Sequence, residues 1–143
     1  MAALTKDRKL KYQGEIRRTF TGDLAATTTI YLGAMVAKNA AGNIVPAADT
    51  AALKVVGVAL EAVDNAAGAA GAKKVQIGTG VFEFDNLAGA IVQASKHALC
   101  YVGDDQSVST AAAMTNDIIA GLVDSFTTTK VMVDVDPAYG ALA

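Results

Sequence analysis

A regular alternation near the C-terminus constrains the fold more than any other feature of the sequence. Three valines, Val131, Val133 and Val135, alternate with Lys130, Met132 and Asp134. In an extended chain this spacing places all three valines on one face, so the segment is predicted to be a half-buried strand. An apolar run at 118–126 precedes it, and the threonines at 127–129 lie between them. We therefore expect a hairpin with a three-residue loop.

Comparable strand-length segments recur upstream, with turn residues between them. Strands are expected at 35–38, 44–46, 54–60, 75–77, 82–84 and 99–102. Gly42-Asn43 is a favourable turn dipeptide between the first two of these strands. Gly78-Thr79-Gly80 predicts a tight turn or bulge, with Val75-Ile77 buried on one side of it and Phe82-Phe84 on the other. Asp104-Asp105-Gln106 is expected to form a polar turn.

These patterns predict an all-β protein, a single small β-barrel or sandwich with an extended N-terminal arm and at most short helical turns. Residues 66–72 and 110–114 are rich in alanine, but glycines interrupt the first segment and the second is short, so both are expected to be loops. The arm is assigned to residues 1–18 and the barrel domain to residues 19–143. At 143 residues the chain is long enough for one domain with a real core.

The composition favours a protein that hides apolar surface in an assembly. Hydrophobic residues make up 52% of the chain and charged residues only 18%, which is apolar for a monomer of this size. Exposed apolar surface also occurs on ordinary monomers, so the alternative of a monomer stays open. No apolar run is long enough to span a membrane, and the first twelve residues lack the apolar region of a secretory signal. The single cysteine, Cys100, excludes an intrachain disulfide and suits a reducing compartment.

The charges are distributed unevenly along the chain. Residues 1–18 hold six cations and two acids, a net charge of +4, whereas the other 125 residues hold six lysines and twelve acids, a net charge of −6. A basic arm on an acidic body is typical of an interaction segment that meets nucleic acid, an acidic protein surface or a neighbouring subunit. The alternative is a solvated, disordered N-terminus. The acidic body argues against a broad phosphate-binding face, so no nucleic acid is expected as a partner.

The stretch 63–84 contains two glycine clusters and a lysine pair, as phosphate-binding loops do. Counted from Gly68, however, Lys73 stands where a P-loop requires its second glycine, and no serine or threonine follows Lys74 to hold magnesium. Gly78-Thr79-Gly80 begins like a dinucleotide fingerprint, but Glu83 occupies its last glycine position. A strand rather than a helix is expected next, so no helix N-terminus is available to bind an anion. The stretch is predicted to be a loop that joins strands.

No group of residues indicates an active site. His97 and Cys100 could share a metal or form a nucleophile–base pair, but no third ligand or orienting group is near them in the sequence, and Cys100 lies in an apolar string. The acidic pairs at 104–105 and 134–136 lack the spacing of a calcium loop and are typical of turns. No serine lies in a nucleophile-elbow sequence. We therefore expect no enzymatic activity, no cofactor and no metal.

Several segments of the chain, in order, resemble one known family. They are GAMVAKNAAG at 33–42, LKVVGVA at 53–59, VDNAAGAAGAK at 63–73, GVFEF at 80–84 and CYVGDDQSV at 100–108, followed by the closing hairpin. This succession resembles the capsid cement, or head-decoration, proteins of tailed bacteriophages, particularly those of Mu-like phages and prophages. The resemblance extends over nearly the whole chain. Residues 11–29 depart from the family pattern because they are more charged and richer in threonine.

The resemblance implies a non-enzymatic virion protein that is made in the bacterial host cytoplasm and binds the exterior of the capsid. Its partner would be the major capsid protein, and it would act as a homo-oligomer, with a trimer expected in preference to a dimer. Five basic residues of the arm are the candidates for capsid contact: Arg8, Lys9, Lys11, Arg17 and Arg18. The alternatives are another phage structural component, such as a tail or spike protein on a similar barrel, and a nucleic-acid-binding module that uses the basic arm.

Overall fold

The computed structural model describes residues 3–142, and almost all of its regular structure is β-strand. The elements are β1 (Tyr12–Asp23), β2 (Thr28–Ile30), β3 (Met35–Lys38), β4 (Ile44–Pro46), β5 (Lys54–Ala59), β6 (Val63–Asn65), β7 (Lys74–Asn86), β8 (Leu99–Asp104), β9 (Ser107–Ser109), β10 (Ile119–Phe126), β11 (Lys130–Val135) and α1 (Pro137–Gly140). Three single turns of 3₁₀ helix complete the regular structure of the described chain. The prediction of an all-β fold with only short helical turns is confirmed.

Five strands close into a small barrel. β7 pairs with β11, β11 with β10, β10 with β8 and β8 with β9, all antiparallel. β9 then returns to β7 in a parallel pairing at Asp85 and Asn86, which closes the ring. The interior contains the two phenylalanines Phe82 and Phe84 together with valines of β8, β10 and β11, nearly all completely buried. A five-stranded barrel has space inside only for side chains, so this is a packed core.

A second group of strands extends the sheet beyond the barrel. β5 pairs with β7, β3 with β5 and β4 with β3, while β1 lies along the other edge of the first half of β7. A single bridge between Leu24 and Ile44 links the end of β1 to β4. These strands enclose a second apolar cluster that includes Leu24, Ile30, Ile44 and Ile77.

Strand β7 connects the two clusters. Of the turn or bulge predicted at residues 78–80, the turn is wrong, whereas an irregularity in the β1–β7 register lies opposite Gly80. The strand continues without interruption from Lys74 to Asn86. Val75 and Ile77 lie in the second cluster, whereas Phe82 and Phe84 lie in the barrel, so the buried positions change from odd to even numbers across the glycines. Because successive side chains of a strand point to opposite faces, one strand can supply both cores.

The glycines at 78 and 80 allow β1 to pass close over β7, because atoms of neighbouring residues occupy the space that a side chain would need. A Cβ atom on Gly78 would lie 3.0 Å from the side chains of Ile16 and Leu60. Gly80 has a φ of +149°, and a Cβ there would lie 3.2 Å from the carbonyl oxygen of Glu15. The two glycines therefore let β1 cross close over β7.

The hairpins predicted from local sequence are present. Phe126 pairs with Val131 across the β10–β11 hairpin, and the amide of Thr127 donates to the carbonyl of Lys130 over 2.7 Å. In the β3–β4 hairpin Gly42 has a φ of +87°, a conformation that favours glycine. The alanine-rich segments at 66–72 and 110–114 are loops, the second with one 3₁₀ turn.

The predicted arm differs from the structure at its C-terminal end. Residues 1–2 lie outside the described residues, and residues 3–11 cross the body without forming a strand. From Tyr12 onward the chain is strand β1, which pairs with β7 as far as Asp23, with an irregular register between Gln13 and Arg18. The predicted boundary at residue 18 therefore falls inside a strand. Among residues 3–142 no helix is long and apolar enough to cross a membrane.

Candidate functional site on the N-terminal segment

The basic N-terminal segment, residues 3–18, is attached to the body by hydrogen bonds between backbone amides and aspartate carboxylates. The amide of Leu4 donates to Oδ1 of Asp105 over 2.9 Å. The carboxylate of Asp7 accepts from the amide of Leu32 over 3.0 Å. The chain then continues into β1. We call residues 3–18, which include the first part of β1, the strap, and all five candidate contact residues lie on it.

Arg8 is directed into the body. Its Nη2 donates to the carbonyl oxygen of Glu83 over 2.6 Å, and its guanidinium carbon lies 5.4 Å from the centroid of the Phe84 ring. Its aliphatic stem occupies the space beside Gly33, where a Cβ atom would lie 2.5 Å from Cγ of Arg8. A guanidinium over an aromatic face is a stabilising contact. Arg8 therefore fixes the strap in place and offers little of its charge to a partner.

Lys11 and Arg17 pair with acidic groups of the barrel. The ammonium of Lys11 lies 3.6 Å from the carboxylate of Glu83. Arg17 contacts Asp134 and lies 3.5 Å from Asp136, and its hydrogen bond to Asp134 is the main cause that raises the pKa of Arg17. Exposed ion pairs of this kind contribute little to stability individually. They nevertheless show that part of the charge asymmetry is compensated inside the molecule.

Lys9 and Arg18 present their charges outward. Both residues are exposed, and neither makes an ion pair with any residue in the described range. The guanidinium of Arg18 lies 5.0 Å from the ring centroid of Phe20, which orients the side chain but leaves its charge accessible. Of the five candidates, these two are the best placed to meet an acidic partner.

Lys9 borders a charged cleft of about 230 Å³ between the strap and the barrel. The lining residues are Arg8, Lys9, Lys11, Glu83, Asp85, Gln106 and Lys130. Lys130 pairs with Asp85, its register partner on β7. Lys11 and Lys130 pair with the two carboxylates and Arg8 is directed into the body, so Lys9 is the lining cation whose charge remains available. Lys130 was not among the candidate residues predicted from the sequence. Its position at the start of the predicted β11 strand was the only sequence feature that could have indicated it.

The outer edge of β1 is a second feature of the same surface. Nine of its twelve residues are exposed, and only Ile16, Phe20 and Gly22 are half-buried. Within residues 3–142 the only strand that pairs with β1 is β7. A long edge strand with unpaired backbone groups is a template for pairing with another chain, and the charges of β1 limit indiscriminate pairing.

Cys100 and His97 do not form a reactive pair. The Cys100 side chain is completely buried in the barrel, with Sγ 3.6 Å from the carbonyl oxygen of Gly121, and burial raises the pKa of its thiol to about 12. The reactive form of a cysteine is the thiolate, which such a pKa disfavours near neutral pH. His97 lies exposed on a turn with a φ of +62°. Cys100 is therefore a core residue.

The acidic pairs have structural contacts. Asp104 accepts hydrogen bonds from the amide of Gln106 and the hydroxyl of Ser107. Asp136 caps α1 by accepting from the amide of Ala138 over 3.0 Å, and Asp134 accepts from the Tyr139 hydroxyl over 3.0 Å. Among the described residues no cluster of three or more histidine, cysteine or acidic side chains could hold a metal ion.

Asp105 is the buried acid beneath the strap. It is 2% exposed, and desolvation is the main cause that raises its pKa. A carboxyl group whose pKa is raised on folding stabilises the fold less as pH rises through its titration range. We expect Asp105→Asn, which keeps an oxygen acceptor for Leu4, to gain stability relative to the wild type as pH rises from about 3 to about 7. Urea unfolding at a series of pH values measures this difference.

Asp49→Asn is the matched control, with the opposite expected sign. Hydrogen bonds from the amides of Thr115 and Asn116 lower the pKa of Asp49. Its ionised form therefore stabilises the fold above the ordinary aspartate pKa, and Asp49→Asn should lose stability relative to the wild type over the same pH range. Parallel pH profiles for the two variants would contradict the assignment of Asp105 as a desolvated carboxyl.

The glycine-rich loop at 64–73 is held to the body. Asn65 is 2% exposed, and its side-chain amide donates to the carbonyls of Ala25 and Ala69, each over 3.1 Å. Gly68 packs against the same side chain so closely that a Cβ atom would overlap its Oδ1. The ammonium of Lys73 donates to the carbonyl of Asp64 over 2.7 Å. The loop is thus a packed connection between β6 and β7.

Comparison of the chain with protein-family models, with curated proteins and with solved structures found no match.

Proposed function

We propose that this chain is a structural virion protein that binds the outer surface of a tailed-bacteriophage capsid and stabilises contacts between neighbouring major-capsid subunits. The observation that carries the proposal is the surface formed by β1 and the strap. It combines an exposed edge strand of twelve residues with two outward cations, Lys9 and Arg18, that no acidic group of the described chain neutralises. The order of strand-and-turn motifs, which resembles that of head-decoration proteins, supports it independently.

In the proposed mechanism the barrel is a rigid body and the β1 surface is the contact. The free edge of β1 pairs with an exposed edge of a capsid subunit, and the two cations lie against acidic loops of the shell. Backbone pairing supplies affinity, and the charges supply orientation. Because the capsid presents many identical sites, a homo-oligomer engages several of them together and converts a weak contact into stable binding. We propose a trimer in preference to a dimer.

The nucleic-acid alternative has weaker support. Arg8, Lys11 and Arg17 bind groups of the chain itself, which leaves fewer cations for phosphates than the sequence suggests. A tail or spike component would use the same β1 surface on another phage protein. The experiment below separates these possibilities because it measures binding to undecorated capsids and to DNA with the same variants.

The test reverses the two outward charges. We expect the double variant Lys9→Glu and Arg18→Glu to bind purified undecorated capsids with an affinity reduced roughly tenfold, because like charges replace attractive contacts at the rim of the interface. Occupancy is measured by sedimentation and gel densitometry at several salt concentrations. Lys96→Glu, which changes a lysine outside the strap, is the control and should bind as the wild type does.

Three results would count against the proposal. Unchanged capsid binding by the double variant would remove the role of the two cations. Absence of binding by the wild-type chain would reject the capsid assignment. Salt-sensitive binding of DNA that the same double substitution abolishes would favour the nucleic-acid alternative.

A further inference from the structure

A small recess that shares no residue with the strap concentrates positive charge, with no carboxylate in its lining. It lies at the ends of β3 and β5 and has a volume of about 230 Å³. Its lining residues are Lys38, Asn39, Ala40, Gly42, Ala52 and Lys54. This lining has two lysines and no carboxylate, whereas the cleft beside the strap has acidic residues among its cations.

The two lysines face each other across neighbouring strands. Lys38 and Lys54 are direct register partners in the β3–β5 pairing, so their side chains leave the sheet on the same face. Lys38 is exposed, and its ammonium group makes no hydrogen bond or ion pair within the part of the chain that the structure describes. The ammonium of Lys54 makes one long contact, 3.5 Å, with the carbonyl of Gly140. Like charges directly opposite in a sheet are destabilising, so this arrangement favours occupancy by an anion.

Asn39 adds an oriented neutral donor at the same place. Its Oδ1 accepts from the amides of Ala41 and Asn43, each over 3.0 Å, which fixes the side chain in one orientation. Its side-chain NH₂ group donates to no acceptor in residues 3–142. An amide fixed through its oxygen and free at its nitrogen lies beside the two ammonium groups in the lining of the recess.

The turn before β5, which contributes Ala52 to the lining, has an unusual backbone conformation. Ala52, in the turn before β5, has a φ of +71°, which side chains other than glycine and asparagine seldom adopt. Ala52 is in the lining of the recess next to Lys54.

We infer that this recess binds a compact divalent oxyanion of the phosphate or sulfate type. Two lysine ammonium groups match two negative charges, and the Asn39 amide donates to a third position on the anion. The volume lies below the roughly 300–1,000 Å³ of sites for drug-sized ligands, which suits a single tetrahedral ion with some water. The site is independent of the proposed capsid contact, because it shares no residue with the strap or β1.

The test follows thermal unfolding of the full chain in inorganic phosphate at about pH 8, where the ion is mainly divalent, with chloride at equal ionic strength as reference. The wild type should gain a saturable increase in Tm from phosphate. Lys38→Gln should melt higher than the wild type in chloride, because the repulsion is removed, and its phosphate affinity should be lower by about tenfold or more. Lys6→Gln, an equal charge change on the strap, should behave as the wild type does.

Sulfate and acetate arms define the chemistry of the ligand. Sulfate should reproduce the effect of phosphate, and acetate, which has one charge, should not. Sulfate also stabilises proteins generally by exclusion from their surface, so the informative quantity is the difference between the wild type and Lys38→Gln. Equal, non-saturable increases in both chains would overturn the inference. Amide NMR shifts confined to 38–43 and 52–54 on phosphate addition would support it, and shifts confined to the strap would contradict it.

Discussion

Replacement of Phe84 by alanine is expected to lower the free energy of unfolding by about 3–5 kcal/mol. The Phe84 side chain is completely buried, at the middle of the five-stranded barrel, and lies opposite Val131 in the β7–β11 pairing. Its loss removes apolar contacts and leaves a cavity that a closed barrel cannot easily collapse. It also removes the ring over which Arg8 is placed, so the strap loses an anchor as well.

Urea or thermal unfolding of the purified chain measures this loss, with Val92→Ala as the control. Val92 is also apolar, but it is 51% exposed, and substitutions at such sites usually change stability by less than about 0.5 kcal/mol. A loss of the expected size is a large fraction of the roughly 5–15 kcal/mol that a domain possesses. If Phe84→Ala shifts the transition no further than Val92→Ala does, the barrel core is assigned incorrectly.

The elements that local sequence predicted correctly are those whose pattern is contained within a few residues. The valines of β11 alternate strictly, and the loop to β10 is three residues long, so both strand and partner are visible in one stretch. The same holds for β3 and β4 around Gly42. In these segments the period of the side chains and the turn chemistry agree, and tertiary context has little to add.

Strand β1 was not predicted from the sequence, because its partner strand β7 is distant in sequence and its own composition is polar. Residues 18–23 pair with residues 74–79, and most of their side chains are exposed on both faces, so no apolar alternation marks them. The incorrect prediction of a turn at Gly78 and Gly80 has a related reason. In isolation they indicate a turn, whereas in the fold they are the positions at which β1 crosses close to β7.

The candidate site was predicted in composition but not in arrangement. The basic residues of the strap are evident in the sequence, yet which of them are neutralised depends on contacts such as that of Arg17 with Asp134, which are 117 residues apart. The Lys38–Lys54 pair could not be predicted from the sequence either, since only the strand register places those two lysines opposite each other. Charge patterns along a chain therefore indicate a surface, and the fold decides which charges remain available on it.

The internal use of these charges changes how a deletion of the strap should be interpreted. If every basic residue of the strap were free for a partner, its removal would affect binding alone. Because Arg8 and Lys11 hold the strap to Glu83, removal should also affect the fold.

Removal of residues 2–11 is accordingly expected to destabilise the chain by roughly 2–4 kcal/mol, through the loss of partly buried Leu10 and of the cation–π contact of Arg8. Leu10 packs against the barrel core, and Leu4 donates to the buried Asp105. Urea unfolding of the truncated and full-length chains measures the difference.

The full-length chain with Lys9→Glu and Arg18→Glu is the control, since this variant changes only outward charges and should unfold nearly as the wild type does. If the truncated chain is as stable as the full-length chain, the strap is not packed on the barrel in solution. If it is less stable while the charge variant alone loses capsid binding, packing and partner contact are assigned to different residues of the same strap.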